Sequence, residues 1–218
     1  MLTVSSTAES TALTTLEEVK SQLSVTATDE DSYLESQIAR GSAAICTYLN
    51  IAPANDGTRT LGRETLDETF RFEPCSYKKY HRSELVLSRY PVTSITSVVE
   101  DGFTVDPGEY EDRGGGVIVR LTSEGELRTW TATKIVVTYV AGWLLPGQDG
   151  RTLPQDIEDA AIGLIKAVRF NRTRDPLLRS ENILESLYSY TLFAPTDKDG
   201  IMPADVAALL SPYRNVTI

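Results

Sequence analysis

The chain has 218 residues, 41% of them apolar, and its 31 acidic and 21 basic side chains leave a net charge of −10. This is enough apolar material for one medium domain, or for a domain with a large insertion. The acidic balance excludes tight, surface-wide binding to duplex DNA, which needs many phosphates neutralised by Lys and Arg, but it lets DNA pass close by without adhering.

Residues 1–13 read as a loose, flexible arm. The stretch from Met1 to Thr15 is rich in Ser and Thr and lacks the basic and apolar regions of a signal peptide. Thr15-Leu16-Glu17-Glu18 has the spacing of a capping box, and Leu16, Val19 and Leu23 follow at helical intervals. Thr28-Asp29-Glu30-Asp31 reads as a second helix start, with Thr28 as the cap and three carboxylates at the positive end of the helix dipole. Leu34, Ile38, Ile45, Tyr48 and Leu49 then form one apolar stripe, with Gly41, Ala43 and Ala44 small enough for close helix approach. Asn50 and Pro53 end that helix.

From about Gly57 helical periodicity gives way to β-branched and aromatic residues. Strands are expected at residues 65–72, 85–87, 94–100, 103–105, 117–121 and 135–139, with Asp101-Gly102 as a hairpin turn. Residues 57–145 thus read as a small antiparallel unit of five or six strands.

Helical grammar returns at Pro154, whose missing amide suits a first turn. Ile157, Ala160, Ala161, Leu164, Ile165 and Val168 trace one stripe, with acids early and bases late along the helix. Asp175-Pro176 ends or kinks it; Ile183 to Tyr188 is a weaker helical patch, Pro203 to Leu210 a short helix, and Ser211 to Ile218 a tail.

Neither helical part buries enough surface to fold alone. The expected fold class is therefore α+β: a helical bundle of two N-terminal helices plus the long helix near 154–172, with an inserted small antiparallel β unit and an extended C-terminal tail. The domain reading is a flexible arm at 1–13, a bundle from 14–55 and 151–180, an inserted β unit at 56–150, and a C-terminal segment and tail at 181–218. No apolar run reaches the ~18–20 residues that span a bilayer, so no membrane partner is expected.

Leu16-Glu17-Glu18-Val19-Lys20-Ser21-Gln22-Leu23 followed by Asp29-Glu30-Asp31 and Leu34 resembles the head–tail connector (adaptor) proteins of tailed bacteriophages. Leu87-Ser88-Arg89-Tyr90-Pro91-Val92-Thr93-Ser94-Ile95, then Tyr139-Val140-Ala141-Gly142-Trp143, then Leu153-Pro154 opening a helix to Arg172, is similar to the longer members of that family. The order and spacing of these pieces over residues 14–175 carry the resemblance. It implies a structural role in the neck of a virion made in the bacterial host cytoplasm. The implied partners are other copies in a ring, usually a dodecamer, the portal protein, and a stopper or tail protein. Packaged DNA would pass through the lumen without sequence-specific binding. The family brings no catalytic residues and no cofactor.

Lys166, Arg169, Arg172, Arg174 and Arg179 form the one basic cluster, with only Asp175 as an acid among them. They are candidate contacts to the portal or the lumen; compensation of the helix C-terminal dipole is the plainer reading. Tyr213, Arg214 and Ile218 are candidate contacts of a C-terminal arm. Cys75 and His81 make an imaginable thiol–imidazole pair, but closeness in sequence does not make a catalytic pair, and an exposed loop is the better reading. Cys46 falls on an apolar helix face, and two buried thiols are expected instead of a disulfide. Asp29, Glu30, Asp31 and Glu35 lack the spread of a calcium loop, and Gly114–Gly116 precede a strand and no Gly-Lys-Ser/Thr, so neither a metal nor a phosphate site is expected. Trp130 and Trp143 read as core or interface anchors. A neck stopper or tail-completion protein is the nearest alternative, although it would lack the N-terminal helix pair; a Cys/His hydrolase and a nucleic-acid-binding regulator come from other classes.

Overall fold

The computed structural model describes residues 1–72, 83–172 and 202–215, without the side chains of Asn171 and Arg172. The fold is mixed α+β with antiparallel sheets, in two compact units, each built from two stretches of chain. One comprises Met1–Thr11 and Ile51–Leu144; the other comprises Ala12–Asn50 and Leu145–Ile218.

The first unit opens with β1 (Leu2–Ser6), where a loose arm was expected. Its alternation of Leu2 and Val4 with Thr3 and Ser5 suits a half-buried strand. It pairs antiparallel with β2 (Glu64–Arg71). The remaining strands are β3 (Glu84–Val86), β4 (Val92–Glu100), β5 (Phe103–Thr104), β6 (Tyr110–Asp112), β7 (Val117–Leu121), β8 (Leu127–Arg128) and β9 (Lys134–Ala141). Residues 57–145 thus hold eight strands among the described residues, more than the five or six expected, because β6 and β8 are only three and two residues long and leave no alternating pattern. One sheet has the order β1-β2-β9-β4-β5; the other runs β3-β7-β6, with β8 on β7. Leu66, Val98, Ile135, Val137 and Tyr139 of the larger sheet share one core with Leu85 and Ile118 of the smaller one, and Trp130 is buried in it. The expected hairpin turn is present: Asp101 and Gly102 both have positive φ, 46° and 94°, as a two-residue turn matched to strand twist requires.

In the second unit α1 (Leu16–Leu23) starts as its capping box predicts, with Thr15 Oγ1 accepting from the Glu18 amide at 3.2 Å. It ends at Ser24 in the left-handed region, and the Val25 amide donates back to Lys20 O at 2.9 Å. The next helix, α2 (Asp31–Tyr48), begins later than Thr28 foretold: Glu30 occupies the cap position and no side chain caps the helix. The Thr28 carbonyl instead accepts from the Asp31 amide at 3.2 Å. Then follow α3 (Gln155–Arg172), directly after Pro154, and α4 (Ala204–Leu210) with a 3-10 turn over Ser211–Tyr213. Val19, Leu34, Ile38, Ile162 and Ile165 form one core from α1, α2 and α3. Val168 departs from its expected stripe and is 41% exposed, because buried Ile162 shows that the packed face of α3 turns another way.

The described C-terminal residues are docked within this unit instead of extending from it. Val206, Ala207 and Leu210 of α4 are buried, and the Asn215 amide donates to Leu49 O at 3.0 Å. A methyl added at Gly163 of α3 would stand 3.4 Å from Val206 Cγ2, which is how closely α4 approaches. Arg174, Arg179, Ile218, Cys75, His81 and the patch Ile183–Tyr188 lie outside the described residues. Cys46 is buried, as expected of its helix face.

Candidate functional site

The basic side of α3 is its C-terminal half. Lys166 is exposed, and its Nζ donates to Gln22 Oε1 of α1 at 3.1 Å. Arg169 reaches the start of α2, with Nη2 at 2.6 Å from Glu30 Oε2. Each guanidinium or ammonium group therefore has a role inside its own unit, and Arg169 also clamps two helices. Both partners of that pair are about one third exposed, so water screens much of the attraction. Beside them Val168 and Phe170 are exposed apolar side chains.

Tyr213 and Arg214 are placed elsewhere. The Tyr213 hydroxyl donates to Asp156 Oδ2 at 3.2 Å, at the start of α3. The Arg214 guanidinium stands 5.0 Å from the centre of the Tyr48 ring at the end of α2. Asp156 and Lys166 are ten residues apart on one helix, a rise of about 15 Å. Among the described residues, Lys166 and Arg169 therefore lie toward the C-terminal end of α3 and Tyr213 at its start.

In the first unit the family-like segments meet. The Pro91 carbonyl, after a cis Tyr90–Pro91 bond, accepts from the Gly142 amide at 2.9 Å. The Trp143 amide donates to Leu61 O at 2.8 Å, and Gly142 has φ of +103° where a Cβ would stand 2.3 Å from Gly62 O. Arg89 is buried and donates to Thr60 O at 2.7 Å and to Glu64 Oε2 at 3.4 Å. Burial holds the Glu64 carboxyl above its ordinary range, against the opposing pull of Arg89. Glu68 accepts from Ser88 N and from the Tyr139 hydroxyl, both at 2.9 Å, and also from Ser88 Oγ. Burial, with the Glu68 charge beside it, pushes the Tyr139 hydroxyl strongly up, so it stays a proton donor to that carboxylate. These contacts tie β2 and β9 to the segment between β3 and β4.

A second buried cation, Arg120 of β7, donates to Glu100 Oε2 at 3.2 Å, Glu109 Oε2 at 2.9 Å and Glu109 O at 2.5 Å. Its guanidinium carbon lies 5.9 Å from the Trp130 ring centre. Among the described residues no three His, Cys, Asp or Glu side chains gather to hold a metal, and no helix is long and apolar enough to cross a membrane.

What sequence reading missed is surface: Phe103, 80% exposed beside the Asp101-Gly102 turn, and the outer edge of β4. An aromatic in an alternating strand reads as core, and strand order is not written locally. Such surfaces suit protein contacts more than chemistry.

The sequence matches the head completion protein family over residues 12–216. Among solved structures the fold is similar to a chain in the neck of the empty gene transfer agent particle computed with C6 symmetry, at TM-score 0.56 and 18% identity, covering 100% of this chain and 97% of that one. It is also similar to a chain in the neck of the native particle computed with C12 symmetry, at TM-score 0.52 and 16% identity over the same shares. A chain of the native gene transfer agent virion gives TM-score 0.56 and 16% identity, again over 100% and 97%. No curated protein matches the sequence.

Proposed function

The chain belongs to the head completion protein family, a structural component of the head–tail neck, and from that premise we propose that it acts as the adaptor between portal and tail. The match over residues 12–216, nearly the whole chain, carries this reading. In it, copies assemble as a ring under the portal, extend the DNA channel and give the stopper or tail protein its docking platform. Repeated heterologous contacts close such a ring when the rotation between neighbours fits. The C6 and C12 symmetries of the similar necks support a ring of this kind.

The role is mechanical, without catalysis. In this reading the helical unit is the bundle, and the β unit is an insertion in its sequence. Net charge of −10 keeps passing DNA from adhering to the lumen. Lys166, Arg169 and Arg172 on α3, with Arg174 and Arg179 beyond it, form the contact to the portal or the lumen. The helix pair α1 and α2 supports an adaptor over a stopper.

Immunogold electron microscopy of particles, with antibody against this chain, tests the proposal. Label at the head–tail junction is expected. Expressed protein with unlabelled particles would remove the reading.

A further inference from the structure

Among the described residues the larger sheet of the first unit ends in β1 at one side and in β4 with the short β5 at the other. On β4, β5 covers only Val99 and Glu100, and Val98 O accepts from the Val105 amide at 2.8 Å. From Val92 to Ser97 no described residue pairs with the outer side of β4, and Thr93, Ser94 and Thr96 are exposed. On the opposite side, Met1 and Thr69 exchange two hydrogen bonds, at 2.9 and 2.8 Å. Backbone direction alternates along a strand, so the amide groups of Leu2 and Val4 face away from β2. Leu2 O is taken by the Asn55 amide at 3.0 Å, while Val4 faces outward without a partner among the described residues.

Among the described residues these edges are not blunted by charge or proline, and only the bulges of β4 twist part of its edge. Soluble proteins blunt exposed edges with charges, Lys above all, or with Pro. Neither Val4-Ser5-Ser6 nor Val92-Thr93-Ser94-Ile95-Thr96-Ser97 contains a charge or a proline. Register shifts between Val92 and Ser94 and between Ile95 and Ser97 bend β4, and a sheet continued around a ring must also bend.

We infer that β4 of one copy takes β1 of the next copy as an added strand, so that the sheet continues from subunit to subunit. This rests on the ring proposed above. Strand direction supports this occupant. The path β1-β2-β9-β4 is antiparallel at every step, so β4 runs opposite to β1. A neighbour related by rotation about an axis near the strand direction keeps the sense of its β1. That strand therefore arrives antiparallel to β4, and the alternation passes unbroken across the junction. The contact is heterologous, one edge against a different edge, which is the kind that closes rings. Main-chain hydrogen bonds supply the affinity in such strand addition.

Two variants test the pairing. Val4→Pro removes the outward amide without touching the β1–β2 bonds, and Pro is tolerated on an edge; Val4→Ala keeps the amide. Rings are read by native mass spectrometry and electron microscopy, alone and on portal-bearing heads, and monomer folding by circular dichroism. Loss of rings in Val4→Pro, with rings retained in Val4→Ala and native monomer folding, is the expected result. Rings formed by Val4→Pro would overturn the inference and leave the ring itself standing. Should Val4→Pro fail to fold, cysteine pairs decide: Ser5→Cys combined in turn with Thr93→Cys, Ser94→Cys or Thr96→Cys, in a Cys75→Ser background. Directly opposed residues on paired strands lie ~4.5–5.5 Å apart, within disulfide reach. One pair should yield a ladder of cross-linked multimers on oxidation; rings with no ladder from any pair overturn the inference alone. A wild-type chain that forms no ring in any condition overturns both it and the proposed ring.

Discussion

Arg169 Nη2 on α3 stands 2.6 Å from Glu30 Oε2 at the start of α2, so a residue marked for an outside partner already has one within its own unit. The pair is partly exposed and contributes about 0–1 kcal/mol. Its significance is positional. It ties the C-terminal half of α3 to the acidic run that sequence reading assigned only to a helix dipole.

That relationship separates two reversals that look equivalent in sequence. Arg169→Glu sets a carboxylate against Glu30, and its melting temperature should fall. Lys166→Glu loses only a bond to Gln22 from an exposed side chain and should melt like the wild type. Both should weaken attachment to portal-bearing heads, measured by co-sedimentation, and Arg169→Glu/Arg172→Glu/Arg174→Glu together should abolish it. Normal attachment by Lys166→Glu and by the triple variant would remove the basic face as the contact.

Arg120 should be a sensitive cation in the β unit. Removing it leaves Glu100 and Glu109 without their shared partner and opens space beside Trp130. Arg120→Ala is expected to cost about 1–3 kcal/mol in urea unfolding, less than for a fully buried pair because Glu100 and Glu109 reach solvent. Arg120→Lys should recover part of that, because an ammonium cannot reproduce a planar fork. A loss below ~1 kcal/mol would show that the network relaxes around the gap.

Gly142 should accept no side chain. Its φ of +103° disfavours other residues, and a Cβ would press within 2.3 Å of Gly62 O. Gly142→Ala is expected to cost more than ~1 kcal/mol, seen as a lowered midpoint in denaturant. Gly102→Ala, with φ of +94° and nothing within 4 Å, is the control that measures the backbone cost alone. Equal losses in the two would show that the approach to Gly62 relaxes freely.

These residues also show what the sequence could and could not convey. The capping box at Thr15 and the Asp101-Gly102 turn were legible because each is a local bond or a local φ. The segments around Tyr90-Pro91 and Ala141-Gly142-Trp143 were legible as a family pattern, but not the bond that joins them. Pro91 O and Gly142 N meet across about fifty residues, a tertiary bond with no local trace. The arm at 1–13 was misread for the same reason: Leu2 and Val4 become a strand only because β2 offers an edge. The docking of Tyr213 on Asp156 and Arg214 on Tyr48 depends on the return of the chain to α3 and α2. Charge spacing on α3 predicted a face, and could not reveal that Glu30 occupies part of it.

Asp101 gives the test of hairpin geometry by pH. Its carboxylate accepts from the Lys134 amide at 2.8 Å, the Thr133 hydroxyl at 2.9 Å and the Thr133 amide at 3.1 Å. Those bonds, that from the Lys134 amide foremost, hold its carboxyl below the ordinary carboxylate range. A lowered folded pKa means that this bonding stabilises the fold above the unfolded value, near 3.9, and is lost as pH falls through the folded value. Asp101→Asn keeps a residue tolerant of the positive φ of 46°, so it isolates the carboxylate. The variant should melt lower than the wild type at neutral pH, and the two melting temperatures should converge as pH falls below about 4. A gap that stays constant down to acid pH would show that the charge of Asp101 does not hold the β4–β5 turn to the start of β9.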